Sequence, residues 1–201
     1  MSGLWYGIEW TDANTTPTRI GSTDLHRSLP IQNKMRRCVL KDDGTVNYYL
    51  KADDSTKKEN GTDAVLDGSD GQVMVEIPEY YYEAYNVTSN NTTTHRLILY
   101  PFAKKGVKSH KVYVGAYEGS ISNDILCSVC NTVFTSSGVW DNNGTKLLPT
   151  TSKTRAQFRT AAANRGTGWS QQYWDAYMSI VRLYVVEYCN FNSQDTYNAS
   201  L

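Results

Sequence analysis

Helical periodicity is missing from most of this chain and appears only after residue 152, an order that limits the fold more than any other feature. Before that point, apolar residues recur at alternate positions in short runs separated by turn residues, as half-buried strands require. Residues 4–10, "LWYGIEW", read as a first strand. "TDANTTPTRIGS" is expected to break regular structure at Pro17 and Gly21. "LHRSLPIQNKMRRCVL" is a short amphipathic run interrupted by Pro30. Asp43-Gly44, set between two strand-like stretches in "KDDGTVNYYL", is a strong short-range hairpin signal. The polar run "KADDSTKKENGTDAVLDGSDG" reads as an exposed loop or a flexible insertion. "QVMVEIPEYYYEAYNV" is the clearest strand region: Val73, Val75 and Ile77 alternate with Met74 and Glu76, and Pro78 marks a break or an edge. "TSNNTTTH" is a turn cluster, "RLILYPF" and "HKVYVGAYEG" read as further strands, and "VFTSSGVWDNNGTKLLPTTS" as a loop. No internal repeat stands out.

The helical part opens where Ser152 or Thr154 can cap a segment beginning near Arg155. Phe158, Ala161, Ala162 and Arg165 fall on neighbouring turns, and Gly166 and Gly168 supply a stop. From Ser170, the residues Tyr173, Tyr177, Ile180, Val181, Tyr184 and Tyr188 recur at helical spacing and give one broad apolar-aromatic face. "LYVVEYCNF" fits the end of that helix or a buried strand equally well. Strands first and a helical pair last make the class α+β.

Twenty basic residues balance twenty acidic ones, so no long-range field recruits nucleic acid or an anionic membrane. Lys104, Lys105, Lys108 and Lys111 cluster between strands, but in a chain of zero net charge they do not make a nucleic-acid surface. No run approaches the roughly 20 apolar residues of a membrane span, so no membrane insertion is expected. The opening "MSGLWYGIEWTD" lacks the basic start and apolar core of a secretory signal, which points to synthesis in a cytoplasm. The Asn-x-Ser/Thr triplets at Asn14, Asn60, Asn86, Asn90, Asn91, Asn143 and Asn198 then report Asn/Thr-rich loops. Tyrosine is the outlier at 15 residues; it suits both half-buried strands and binding surfaces.

Candidate chemistry is sparse. Cys127 and Cys130 have the spacing of half a zinc site or of a redox pair, but no second close pair accompanies them, and buried thiols are the default for these and for Cys38 and Cys189. Glu76, Glu79 and Glu83 offer carboxylates on one strand region, with ordinary solvated residues as the plain alternative. His26, His95 and His110 show no spacing of a triad or a ligand set. Asp141, Asn142 and Asn143 concentrate oxygen ligands, yet one carboxylate is few for calcium, and an Asn-Gly turn accounts for them. No cofactor or metal is expected.

"TRAQFRTAAANRGTGWSQQYWDAYMSIVRLYVVEYCNFNSQ" resembles the paired-helix segment of C-type-lectin-fold variable proteins of diversity-generating retroelements, from phages and gut Bacteroides. That group includes the phage major tropism determinant and is more distantly similar to formylglycine-generating enzymes. "WYGIEW", "TRIGS", "LHRSLPIQNKMRRCVLKDDGTVNYYL" and "DGQVMVEIPEYYYE" resemble the same branch, so the likeness spans nearly the whole chain. It implies a β-rich region over 1–85, then a C-type-lectin-like region over 86–201 with the helical pair at about 154–190. Arg155, Phe158, Arg159, Asn164, Arg165, Gly166, Trp169 and Glu187 match framework positions, as does "NSQ" at 192–194. The resemblance makes these structural, with arginines fixing loops through forked hydrogen bonds. The family's ligand-facing residues lie in a glycine-rich region after this segment, and the chain ends at Leu201 without one, so the lectin fold is expected to be incomplete here and no ligand residue carries over.

The implied function is non-enzymatic: a phage virion protein of tail-fibre or receptor-binding type, attaching to a protein or glycan receptor on a bacterial surface. It is expected to contact other virion proteins and to be a homo-oligomer, with a trimer the leading form. The alternatives are a structural virion part (a head fibre or tail component) and a bacterial cell-surface adhesin. An enzymatic reading through Cys127, Cys130 and Cys189 has little support, because these cysteines do not match the pattern of the formylglycine-generating relatives.

Overall fold

The computed structural model describes residues 4–130 and 149–196. It is mixed, with mostly antiparallel sheet and a smaller helical share, as an α+β chain should be. The chain forms two compact units that interleave in sequence: Met1–Met35 with Ile77–Val112 and Trp174–Leu201, and Arg36–Glu76 with Tyr113–Tyr173.

In the first unit, β1 (Tyr6–Thr11) pairs with β2 (Thr18–Gly21) on one side and with β7 (Thr92–Tyr100) on the other. β6 (Tyr80–Ser89) and β8 (Val107–Ser109) extend the sheet to the antiparallel order β2-β1-β7-β6-β8. The β6–β7 hairpin turns at Asn90 and Asn91, both at left-handed φ (+50° and +60°), the conformation a two-residue hairpin of this twist needs. Tyr6, Ile8, Leu97, Leu99 and Tyr80 are buried, and register with period-two alternation puts them on one face. The helix α3 (Trp174–Tyr188) serves that face: the Tyr80 hydroxyl lies 3.0 Å from Ser179 Oγ, Ser109 Oγ lies 3.1 Å from the same atom, and the Arg182 guanidinium sits 3.9 Å above the Tyr82 ring.

α3 does not bury its aromatic stripe. Ala176, Ser179, Leu183 and Val186 are buried, whereas Tyr177 and Ile180 are exposed and Trp174 is the most exposed large hydrophobic residue described. Small side chains at 176 and 179 let the helix backbone approach the sheet, which the tyrosines would hold off. The helix continues through "LYVVEY" to Tyr188, settling that stretch as helix.

The preceding short helix α1 (Thr23–Ser28) is capped by Ser22 Oγ, which accepts from the Leu25 N–H. His26 on α1 places Nε2 3.0 Å from the Ile20 carbonyl, so Nε2 carries the donated hydrogen, and its buried Nδ1 has no partner. Tyr6 meets the ring edge-on at 5.4 Å. Burial, aided by Arg19, lowers the His26 pKa against the opposing pull of the Ile20 carbonyl.

The second unit holds β3 (Arg36–Leu40), β4 (Val46–Tyr49), β5 (Gln72–Ile77) and β9 (Val112–Gly115) in the order β4-β3-β5-β9, although Ile77 and Val112, at the ends of their strands, group with the first unit. A small pair, β10 (Ser120–Ser122) and β11 (Ile125–Cys127), accompanies it, and α2 (Arg155–Ala163) packs on β11. β3 and β5 are central and buried on both faces: Val39 and Val73 join Leu50 and Leu66 on one side, while Cys38, Leu40 and Met74 cluster on the other. The expected hairpin forms at Asp43-Gly44, with Gly44 at φ +81° and Asp43 Oδ1 accepting from the Thr45 N–H at 2.8 Å.

Three expectations need correction, and a fourth, an exposed loop or a flexible insertion at 51–71, resolves to the exposed loop. The boundary at 85/86 falls inside β6, whose ladder to β7 runs unbroken across it from Ala84↔Leu97 to Asn86↔His95. The two helices do not fall in one region: α2 belongs to the second unit and α3 to the first. "TRIG" after Pro17 is strand β2, because β1 offers it an open edge. The polar run 51–71 is an ordered series of side-chain turns in which Asp54, Asn60 and Asp67 each accept from the N–H two residues on, repeating Asp43. That Asp/Asn-x-Thr/Ser spacing is a short local repeat in the sequence.

Two outcomes follow for the first unit. Tyr80→Phe removes one partner from the buried hydroxyl group and is expected to cost about 1 kcal/mol in urea denaturation. Protonating His26 opposes its depressed folded-state pKa, so stability is expected to fall as pH drops below the unfolded value near 6.5, and His26→Gln should flatten that slope.

Candidate functional site

The segment 154–169 is built to begin, stop and hold. Thr154 Oγ1 accepts from the Gln157 N–H at 3.2 Å and Gln157 Oε1 accepts from the Thr154 N–H at 2.8 Å, a reciprocal cap that starts α2. Ala161 and Ala162 are buried, allowing close approach to β11. After Asn164 the chain turns through Gly166 (φ +144°) and Gly168 (φ +89°), values that an L side chain rarely adopts.

This turn directs three side chains onto distant backbone. Asn164 Nδ2 donates to the Asp124 carbonyl at 2.9 Å. Arg165 forks: Nε and Nη2 both donate to the Leu126 carbonyl, at 3.1 and 2.9 Å, and Nη1 reaches Asp42 Oδ1 at 2.7 Å. Trp169 Nε1 donates to the Asp42 carbonyl at 2.8 Å, its ring packs against the Cys38–Leu40–Met74 cluster, and the Arg165 guanidinium lies 5.3 Å from its centroid. The Arg165 side chain is only 6% exposed while Asp42 is 62% exposed, so the carbonyl and ring contacts, not the ion pair, carry the clasp. Chemically this is a satisfied cation tying the 41–45 hairpin and β11 to the end of α2.

The other framework candidates are elsewhere. Arg155 and Arg159 are exposed and Phe158 is half-buried on α2. Glu187 lies on α3 in the first unit, where its backbone carbonyl accepts from Arg19 Nη2 at 2.8 Å. Asn164, Arg165, Gly166 and Trp169 therefore come together, and Arg155, Arg159 and Glu187 do not join them.

The two motif thiols have separate partners and are half-buried, not buried; of the four cysteines only Cys38 is fully buried. Cys127 Sγ sits 3.2 Å from Arg165 Nη2, and burial pushes its pKa up against the pull of that guanidinium. Cys130 instead packs beside the Val39–Val73 cluster and meets the Tyr117 hydroxyl. Ser128 between them is the structural residue that the sequence reading missed. Its N–H donates to Gln72 Oε1 and its hydroxyl to the Val73 carbonyl, both at 2.8 Å, stitching this stretch to β5. The only signal in the sequence was a serine set between two cysteines next to an apolar run.

The carboxylates are likewise dispersed. Glu76 accepts from Tyr49 at 3.0 Å and Tyr113 at 2.8 Å, Glu79 pairs with Lys108 at 2.7 Å, and Glu83 takes the Tyr100 hydroxyl at 2.7 Å. His95 bridges Asp12 and Asn86 under the Trp10 ring, and His110 is exposed. Among the described residues no group of three or more His, Cys, Asp or Glu could hold a metal ion. Asp141, Asn142 and Asn143 lie outside the described residues. No described helix is long and apolar enough to cross a membrane. No family model, curated protein or solved structure matches this chain.

Arg165→Lys keeps a positive charge but loses the fork on Leu126, and is expected to cost about 2 kcal/mol. Asp42→Asn should cost under about 1 kcal/mol, because its carboxylate is largely in water. Urea denaturation of both variants checks the ranking; equal losses would mean the ion pair dominates.

Proposed function

We propose that this chain is a non-enzymatic phage virion protein of the receptor-binding or tail-fibre kind, attaching to a bacterial surface through a lectin-like fold. The observation that carries this reading is the use of Asn164, Arg165 and Trp169, from the phrase that resembles the lectin-fold variable proteins, on scaffold contacts to remote backbone. The resemblance implies this role for framework positions: a rigid frame that leaves recognition to other surfaces. The 15 tyrosines add side chains suited to recognition at low entropic cost.

Attachment by individually weak contacts gains from valency, so the working form is a homo-oligomer, with a trimer the leading candidate. Light scattering of the purified protein should give a multiple of 22.6 kDa, and a monodisperse monomer would remove the multivalent picture. Fluorescently labelled protein should be retained on some strains of a gut Bacteroides panel and not on others; uniform absence of retention overturns attachment.

A second reading, a structural virion part whose partners are other virion proteins, is favoured by α3. Trp174 is 69% exposed and Tyr177 49%, with ring centroids 5.9 Å apart, and exposed aromatic groups of this kind mark protein contacts. Cryo-microscopy of the parent particle separates the two: a distal tip favours attachment, and an enclosed position favours assembly.

A further inference from the structure

We infer that the loop from β7 into β8, with β8 itself, is a binding surface for an acidic polysaccharide, one whose sugar residues carry carboxylates. The inference rests on the attachment reading above and names a ligand class for it.

The segment "PFAKKGVKSHK", residues 101–111, holds Lys104, Lys105, Lys108 and Lys111 and no acidic residue, in a chain whose formal net charge is zero. Residues 104–108, 110 and 111 are all exposed. Phe102 at 63% and Val107 at 57% follow Trp174 as the most exposed large hydrophobics described, and they bracket the lysine pair. Apolar surface and positive charge thus alternate along one short stretch. A uronate polymer presents the complementary alternation, since each sugar offers a C–H face beside its carboxylate.

The surface is held in shape before any ligand arrives. Gly106, at φ +76°, presses on β6 so closely that a Cβ there would stand 2.1 Å from the Tyr82 carbonyl oxygen. Lys105 Nζ lies 5.3 Å from the Tyr100 ring centroid, and the Lys105 N–H donates to the Ala103 carbonyl at 3.0 Å. β8 forms the edge of its sheet, held by β6 on one side. A loop pinned in this way loses little further entropy on binding.

Two acids, Glu79 and Glu83, face the patch against its four lysines. Glu79 pairs with Lys108, and Glu83 accepts from Tyr100. Glu79 also feels Lys104 and His110 through space, but among the described residues neither Lys104 nor Lys105 has a direct ion pair, and the Lys104–Lys105 step is the cationic centre. Nucleic acid fits less well: stacking needs several accessible rings between the cations, and Phe102 is the only aromatic residue in the segment.

The test uses the full chain on immobilised alginate, with neutral dextran and an oligothymidylate resin as comparisons. Wild type should be retained on alginate at low salt, released as salt rises, and not retained on dextran. Lys104→Gln with Lys105→Gln should weaken retention about tenfold and lower the log–log salt slope by about one to two, on the counterion-release estimate of slightly under one unit per contact. Phe102→Ser should weaken it with the slope unchanged. Lys34→Gln with Lys153→Gln removes the same net charge from exposed positions elsewhere and should change nothing. Equal loss in both double variants, no wild-type retention on alginate, or tighter binding to the oligonucleotide each overturns the proposal. A far-UV spectrum matching wild type shows that a variant is folded. Because the probe is a purified polymer, failure here leaves attachment to cells to be judged by its own assay, and failure on cells leaves this result standing.

Discussion

Arg165 must take its guanidinium out of water to reach the Leu126 carbonyl, and desolvating a charge costs several kcal/mol unless hydrogen bonds replace its hydration. The second unit is arranged around meeting that requirement. Leu126 supplies a carbonyl to two of the guanidinium nitrogens, Asp42 supplies a carboxylate at the water-facing end, and Trp169 covers one face while fixing the Asp42 carbonyl. Leu126 and Asp42 lie far from Arg165 in sequence, so the group cannot form until the hairpin, β11 and the end of α2 are in place together. Half-formed it would be worse than an apolar contact, which makes it a device for fixing one arrangement.

The first unit solves a different problem with smaller groups. A sheet whose buried face carries Tyr6 and Tyr80 must find partners for two hydroxyls. Tyr6 donates to Gln32 Oε1 at 2.7 Å, and Gln32 passes the connection on to the Leu183 carbonyl of α3. Tyr80 uses Ser179, which also meets Ser109. The helix is therefore positioned along the sheet by polar contacts and drawn close by Ala176 and Ser179. Tyr177 is left on the outside as a consequence of that close approach, while Tyr184 and Tyr188 are half-buried.

These two solutions explain what the sequence could reveal. Signals that are local and backbone-driven were legible: the alternation in β1, β5 and β7, the Asp43-Gly44 hairpin, the Thr154 cap and the Gly166 stop. The helical spacing of α3 was legible, but which of its faces is buried was not, because the distance between helix and sheet selects for the small residues Ala176 and Ser179. β2 was hidden because Pro17 and Gly21 bound a strand of only four residues. The interleaving of the units was out of reach, since pairing β1 with β7 joins Tyr6 to Leu99, and no local pattern announces such a partner. The candidate site divides the same way: Asn164, Arg165 and Trp169 lie beside the legible cap and glycine stop, but Asp42, Asp124 and Leu126, which they hold, carry no local signal.

The polar run 51–71 shows why composition alone misjudges such segments. Its Asp, Asn, Thr and Ser residues look like those of a flexible insertion, yet their spacing lets Asp54, Asn60 and Asp67 each close a turn on the backbone two residues ahead. The turns carry Leu50 and Leu66 into the cluster around Val39 and Val73, and Tyr48 donates to the Val65 carbonyl across the run. Order here comes from repeated short-range hydrogen bonds anchored by two apolar side chains. A loop built this way keeps its surface polar while its path is fixed by short-range hydrogen bonds.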